Sequence, residues 1–175
     1  MKKTIDSNVI AAAFDSVFEF NDISKQFDKD PVAAVDLQID LIFEELTETI
    51  SAMDAGLSEL RNKDLKECEV ELLDGAVDVF VVVSGLLQKL QHFGFDVEKA
   101  LLRVPENNMS KFPVVISPQD TNWYASQGLE TEYNHKYNRF VIRDAAGKTR
   151  KPVDFTPVTL DDLVPGNFFK GANNV

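Results

Sequence analysis

Basic residues are absent from one long stretch of this sequence: no Lys or Arg lies between Pro31 and Arg61. Cysteine is represented by Cys68 alone, which excludes an internal disulfide and any thiolate cage for zinc. Its neighbours Glu67 and Glu69 discourage a reactive thiolate. The two histidines, His92 and His135, read as surface or packing residues and not as ligands. No apolar run is long enough to span a membrane; the most apolar one, Ala76 to Val83, is short and carries Asp78. Met1-Lys2-Lys3 has no long apolar segment behind it, so no secretory signal is expected and the chain reads as cytosolic.

What is present is acid. Lys and Arg number 18 against 29 Asp and Glu, a net charge of -11 over 175 residues. Such a surface repels nucleic acid and anionic membranes, so neither is an expected partner. It suits divalent cations, although an acidic face on a helix is commonly just solvated. The length is that of one compact domain with a substantial core.

The first two-thirds follows a helical period. Ile5 to roughly Asn21 places Val9, Ile10, Ala13, Phe14, Val17 and Phe18 on one stripe. Lys29-Asp30-Pro31 is a helix start, and that helix is predicted to run to about Ala55, with Gly56 ending it. A third helix is predicted from Asn62 or Asp64, where Asp64-Leu65-Lys66-Glu67 has capping-box spacing, to about Phe93, with Gly94 as terminator. The β-branched run Val79-Phe80-Val81-Val82-Val83 sits inside this pattern and is read as buried helix. Asp96 is predicted to cap a fourth helix that Pro105 interrupts. Beyond Lys111 the texture changes, and Phe140 to Arg143 with Lys148 to Val153 suggests two short strands around Asp144-Ala145-Ala146-Gly147. Residues 1–112 are thus read as a helical catalytic core and 113–175 as an arm, not an independent domain. Trp123, Tyr124 and the phenylalanines read as core or subunit contacts.

Glu44, Glu45 and Glu48 fall within roughly a 100° arc of the second helix. Like charges at this spacing repel by a few tenths of a kcal/mol per pair, a sign that a cation between them would reverse. Glu71, Asp74 and Asp78 share one face of the third helix, within roughly 60°. Asp78 has only apolar neighbours, and an ionised carboxylate beside a core is costly unless paired or metal-bound. Two antiparallel helices presenting such faces would make an oxygen-lined pocket suited to Mg²⁺ or Mn²⁺.

Four motifs in this order resemble the MazG-like all-α NTP pyrophosphatases, including forms carried by bacteriophages. Glu44-Glu45-Leu46-Thr47-Glu48 matches an EExxE element and Glu71-Leu72-Leu73-Asp74 an ExxD element. Asn108-Met109-Ser110-Lys111 is similar to the family's NxSK, and Asp144-Ala145-Ala146-Gly147-Lys148 with Lys151-Pro152 to its DGK…KP. The resemblance covers roughly residues 35 to 160. One departure is that the apolar segment follows Asp78, a turn beyond Asp74. Were Asp78 the motif aspartate, its glutamate position would fall on Gly75, so Glu71 and Asp74 are taken as the motif and Asp78 as a third acid.

The resemblance implies an all-α fold, an antiparallel bundle of four to five helices, with an irregular C-terminal arm containing a short β-hairpin. It implies metal-dependent hydrolysis of a (d)NTP to monophosphate and pyrophosphate, with Mg²⁺ the expected ion and Mn²⁺ an alternative. Glu45, Glu48, Glu71, Asp74 and Asp78 become expected metal ligands, with Glu44 a ligand or the base that orients water. Asn108, Lys111, Lys148 and Lys151 become expected phosphate or sugar contacts. A homodimer or homotetramer is expected, its site drawing on a neighbouring chain. Two other readings are weighed. One is a non-catalytic acidic helical module for a basic partner; the other is phosphoribosyl-ATP hydrolysis, which the C-terminal arm fits poorly.

Overall fold

A computed structural model describes residues 4–28, 30–59 and 65–170. Among these the chain is mostly helical, with five α-helices and one two-stranded antiparallel sheet towards the C-terminus. It divides into two compact units: the described residues of Met1–Val97 and Val164–Val175, and Glu98–Leu163. No described helix is long and apolar enough to cross a membrane.

The first unit is built on three helices. Helix α1 spans Ser7–Ile23, and the Asp6 carboxylate caps it by accepting from the Asn8 N–H at 2.8 Å. Helix α2 spans Pro31–Glu59. Asp30 caps it as predicted, its Oδ1 accepting from Val32 and Ala33 at 3.1 and 3.0 Å. Helix α3 spans Leu65–His92, so the β-branched run is helical. The proposed starts at Asn62 and Asp64 lie outside the described residues.

Gly56 does not end α2, contrary to expectation; the helix continues three residues past it. Gly56 lacks the positive φ of a helix-stopping glycine, and a Cβ there would meet Cys68 on α3 at 3.5 Å. It is a contact glycine. Gly94 does stop α3, at φ +92, and Phe95 donates back to the Leu90 carbonyl at 3.0 Å in a Schellman closure. Along the helix pair Gly56 faces Cys68, Thr49 faces Gly75 and Gln38 faces Gly85. Positions on α2 descend as those on α3 ascend, so the two are antiparallel.

Ring contacts return the chain's last described residues to this unit. His92 lies between Phe27 and Phe93, and Phe168 packs on both Phe93 and Phe95.

The second unit takes in most of α4, which spans Val97–Met109 and runs through Pro105 without interruption. The carbonyl that a proline at this position strands belongs to Leu101, four residues back in an exposed turn where water can satisfy it. Helix α5, Pro118–Ser126, was not foreseen, although its start is encoded. Pro118 opens it, and the Ser117 hydroxyl accepts from the Asp120 N–H at 3.0 Å.

The strand prediction is half right. Arg139–Arg143 forms β2, but its partner is the upstream β1, Glu130–Asn134, with Tyr133 opposite Phe140. Those rings meet at 4.8 Å, a cross-strand pair that favours this register. Lys148 to Val153 contributes only a bridge between Thr149 and Arg143. Pro152 there has no N–H to give a ladder. Tyr124 and Ile142 fill the small core, and the Tyr124 hydroxyl accepts from the Val153 N–H at 3.0 Å.

Candidate active site

The α2–α3 contact sets the geometry. A Cβ on Gly75 would lie 2.6 Å from Thr49 Oγ1 and 3.2 Å from Thr49 Cα, so only glycine permits this approach. Thr49 turns its hydroxyl back onto the Glu45 carbonyl at 2.8 Å, satisfying it within its own helix. The acids of both helices flank this contact.

On one side of it lies an open groove of about 490 Å³. Its walls carry Glu48 from α2 and Glu71, Asp74 and Asp78 from α3, and its floor is made of small residues, Ser51, Ala52, Ala55 and Gly75. Four of the six predicted acids therefore line one cavity. Glu45 is half-buried beside them. Burial, then the negative charges of Asp78, Glu48, Glu44 and Asp74, hold its carboxyl above the ordinary range. Acids from both helices thus act on one carboxyl group, as the sequence implied. Among the described residues no three Asp, Glu, His or Cys side chains converge closely enough to form a ready-made metal cage.

The predicted phosphate contacts belong to the second unit. Lys111 Nζ donates to Asn108 Oδ1 at 2.7 Å, so the NxSK pair is brought together at the end of α4. The DAAGK segment is a loop knotted on Asp144. Its Oδ1 accepts from the Ala146 and Lys148 N–H groups at 3.0 and 2.9 Å, and its Oδ2 pairs with Arg150 at 2.6 Å. Those bonds, led by the Lys148 N–H, hold the Asp144 carboxyl below its ordinary range. The Lys148 side chain is exposed, and Lys151 places Nζ 4.7 Å from the centre of the Phe155 ring.

One buried polar group was missed. Asn21, Gln38, Ser84, Gln88 and Lys89 are all buried in the first unit, Lys89 at 2 % exposure. Gln88 accepts from Asn21 Nδ2 at 3.0 Å and donates to the Phe14 carbonyl at 2.9 Å. Gln38 donates to the Val82 carbonyl at 2.9 Å and accepts from Lys89 Nζ. The signal was available in the sequence, since Gln38 and Gln88 interrupt otherwise apolar helical stripes. Scans against protein-family models, curated proteins and solved structures find no match to this chain.

Proposed function

We propose that this chain is a cytosolic, MazG-like nucleoside triphosphate pyrophosphohydrolase, hydrolysing a (d)NTP to (d)NMP and pyrophosphate. The observation that carries the reading is the groove that gathers Glu48, Glu71, Asp74 and Asp78 beside a Glu45 whose carboxyl resists ionisation. Carboxylates crowded to the point of raising a neighbour's pKa form a donor set that a hard divalent cation relieves. The groove is also of a size that accepts a small ligand.

In this reading Glu45, Glu48, Glu71, Asp74 and Asp78 hold Mg²⁺ or Mn²⁺. The ion neutralises phosphate charge and makes bound water more acidic. Glu44, exposed one turn before Glu48, orients the attacking water or joins the ligands. The floor of Ser51, Ala52, Ala55 and Gly75 leaves room for phosphate oxygens between the acid walls. Asn108 and Lys111 contact phosphate or sugar on the strength of their motif, Lys111 as a point charge. Lys148 and Lys151 are further phosphate contacts on the same basis.

The test is pyrophosphate release from each standard dNTP and NTP with Mg²⁺ or Mn²⁺. Turnover that disappears in Glu48→Gln and in Asp74→Asn supports the proposal. No turnover with any nucleotide, together with no metal binding by calorimetry, overturns it in favour of an acidic interaction module.

A further inference from the structure

Helix α2 carries a second pattern that the groove does not use. Ile39, Phe43, Leu46, Ile50, Met53 and Leu57 follow one another at intervals of four, three, four, three and four residues. That is the spacing of a helix-pairing seam, and all six are exposed, from 39 % for Ile39 to 64 % for Phe43. At about 100° per residue the seam lies roughly 180° from Glu44 and Glu48. It therefore faces away from the acid groove. On α3 the same side of the pair contributes Leu65 and Leu72, which with Met53 and Leu57 line an open apolar hollow of about 230 Å³.

We infer that this face docks a second copy of the chain, with the two hairpins back to back and the acid grooves on the outer sides. Area is one reason. The six side chains expose on the order of 600 Å² of apolar surface, at the top of what a monomer leaves bare. Two copies bury about 1,200 Å² between them, within the range of specific interfaces. Shape is another. The face has both a protruding ring, Phe43, and an apolar hollow, so a two-fold axis between them lets each ring approach the other copy's hollow. Charge rejects an anionic lipid surface, because α2 has no basic residue and Asp36, Asp40 and Asp54 flank the seam. The inference is independent of the enzymatic reading and differs from a site shared between chains: each acid groove is complete within its own hairpin.

Light scattering of the whole chain should give about twice 19.6 kDa. Association should tighten with salt, which screens repulsion between two chains of charge -11. The double variant Phe43→Glu, Ile50→Glu should run at half the wild-type mass with its helical circular dichroism retained, both positions being exposed in the single chain. Cross-linking checks the orientation without relying on that variant. In a Cys68→Ser background, Met53→Cys should couple between copies through a short bis-maleimide, whereas Ser51→Cys, on the groove floor, should not. A wild-type monomer at low and high salt overturns the inference, as does association that salt abolishes. A double variant that stays dimeric, or coupling through Ser51→Cys in preference to Met53→Cys, does the same.

Discussion

Gly75 on α3 meets Thr49 on α2 so closely that a single added methyl would sit 2.6 Å from the threonine hydroxyl. Gly75→Ala should therefore destabilise the chain, although alanine is the better helix former by about 1 kcal/mol. Overpacking at a rigid contact costs about 1–3 kcal/mol, and the backbone Cα at 3.2 Å cannot rotate away. Denaturant melts of Gly75→Ala, Thr49→Ala and the double variant should show partial rescue, since removing the hydroxyl relieves only the shorter contact. Full additivity of the two single effects would refute the coupling.

Glu45 gives a pH signature. Its folded carboxyl titrates above the ordinary 4.5, so over the range just above that value the folded chain binds more protons than the unfolded one. Stability in the absence of divalent cations should therefore fall as pH rises through this range. Glu45→Gln should flatten the dependence and raise the melting temperature at neutral pH. Thermal melts in chelator at several pH values test both statements, and a variant less stable than wild type at neutral pH would contradict them.

Asp78 exerts the largest charge effect on that group. Asp78→Asn should lower the Glu45 titration midpoint more than Asp74→Asn does, read by NMR of the side-chain carboxyl. For catalysis the expected order differs. Glu48→Gln, Glu71→Gln and Asp74→Asn should each cost about a thousandfold in kcat/KM, the several kcal/mol expected of a lost metal ligand. The effect of Asp78→Asn on Mn²⁺ affinity measures its share of the ligation, and no change in affinity would remove it from the ligand set.

Gln88 links α1 to α3. Gln88→Leu removes the acceptor of Asn21 Nδ2 and the donor to the Phe14 carbonyl, and should cost about 1–3 kcal/mol in denaturant melts. Replacing Asn21 and Gln88 together by leucine should cost less than Gln88→Leu alone, because fewer buried polar groups are then left without partners.

The helices were legible because their signals are local. Asp30 caps α2 and Gly94 closes α3 through atoms a few residues away. Gly56 and Gly75 were opaque for the opposite reason. Each is glycine because of a side chain on another helix, and nothing in its own neighbourhood says so. Pro105 looked like a breaker because a sequence does not show that the carbonyl it strands is exposed. The sheet was misread where two candidate partners competed for Phe140 to Arg143, and the Tyr133–Phe140 ring contact that distinguishes them becomes visible only when the strands are paired. Of the site, the acid faces were readable from a period of 3.6. The crossing that turns two faces into one groove was not.

Helix α2 runs 29 residues without a single basic side chain, so no Glu–Lys or Asp–Arg pair can brace it from within. A peptide of this sequence alone should be largely unstructured at neutral pH, its acids repelling along every turn. During synthesis it must then wait for α3 to leave the ribosome before either helix holds. Amide hydrogens at the centres of the two helices, near Thr49 and near Gly75, should accordingly exchange in one shared opening event.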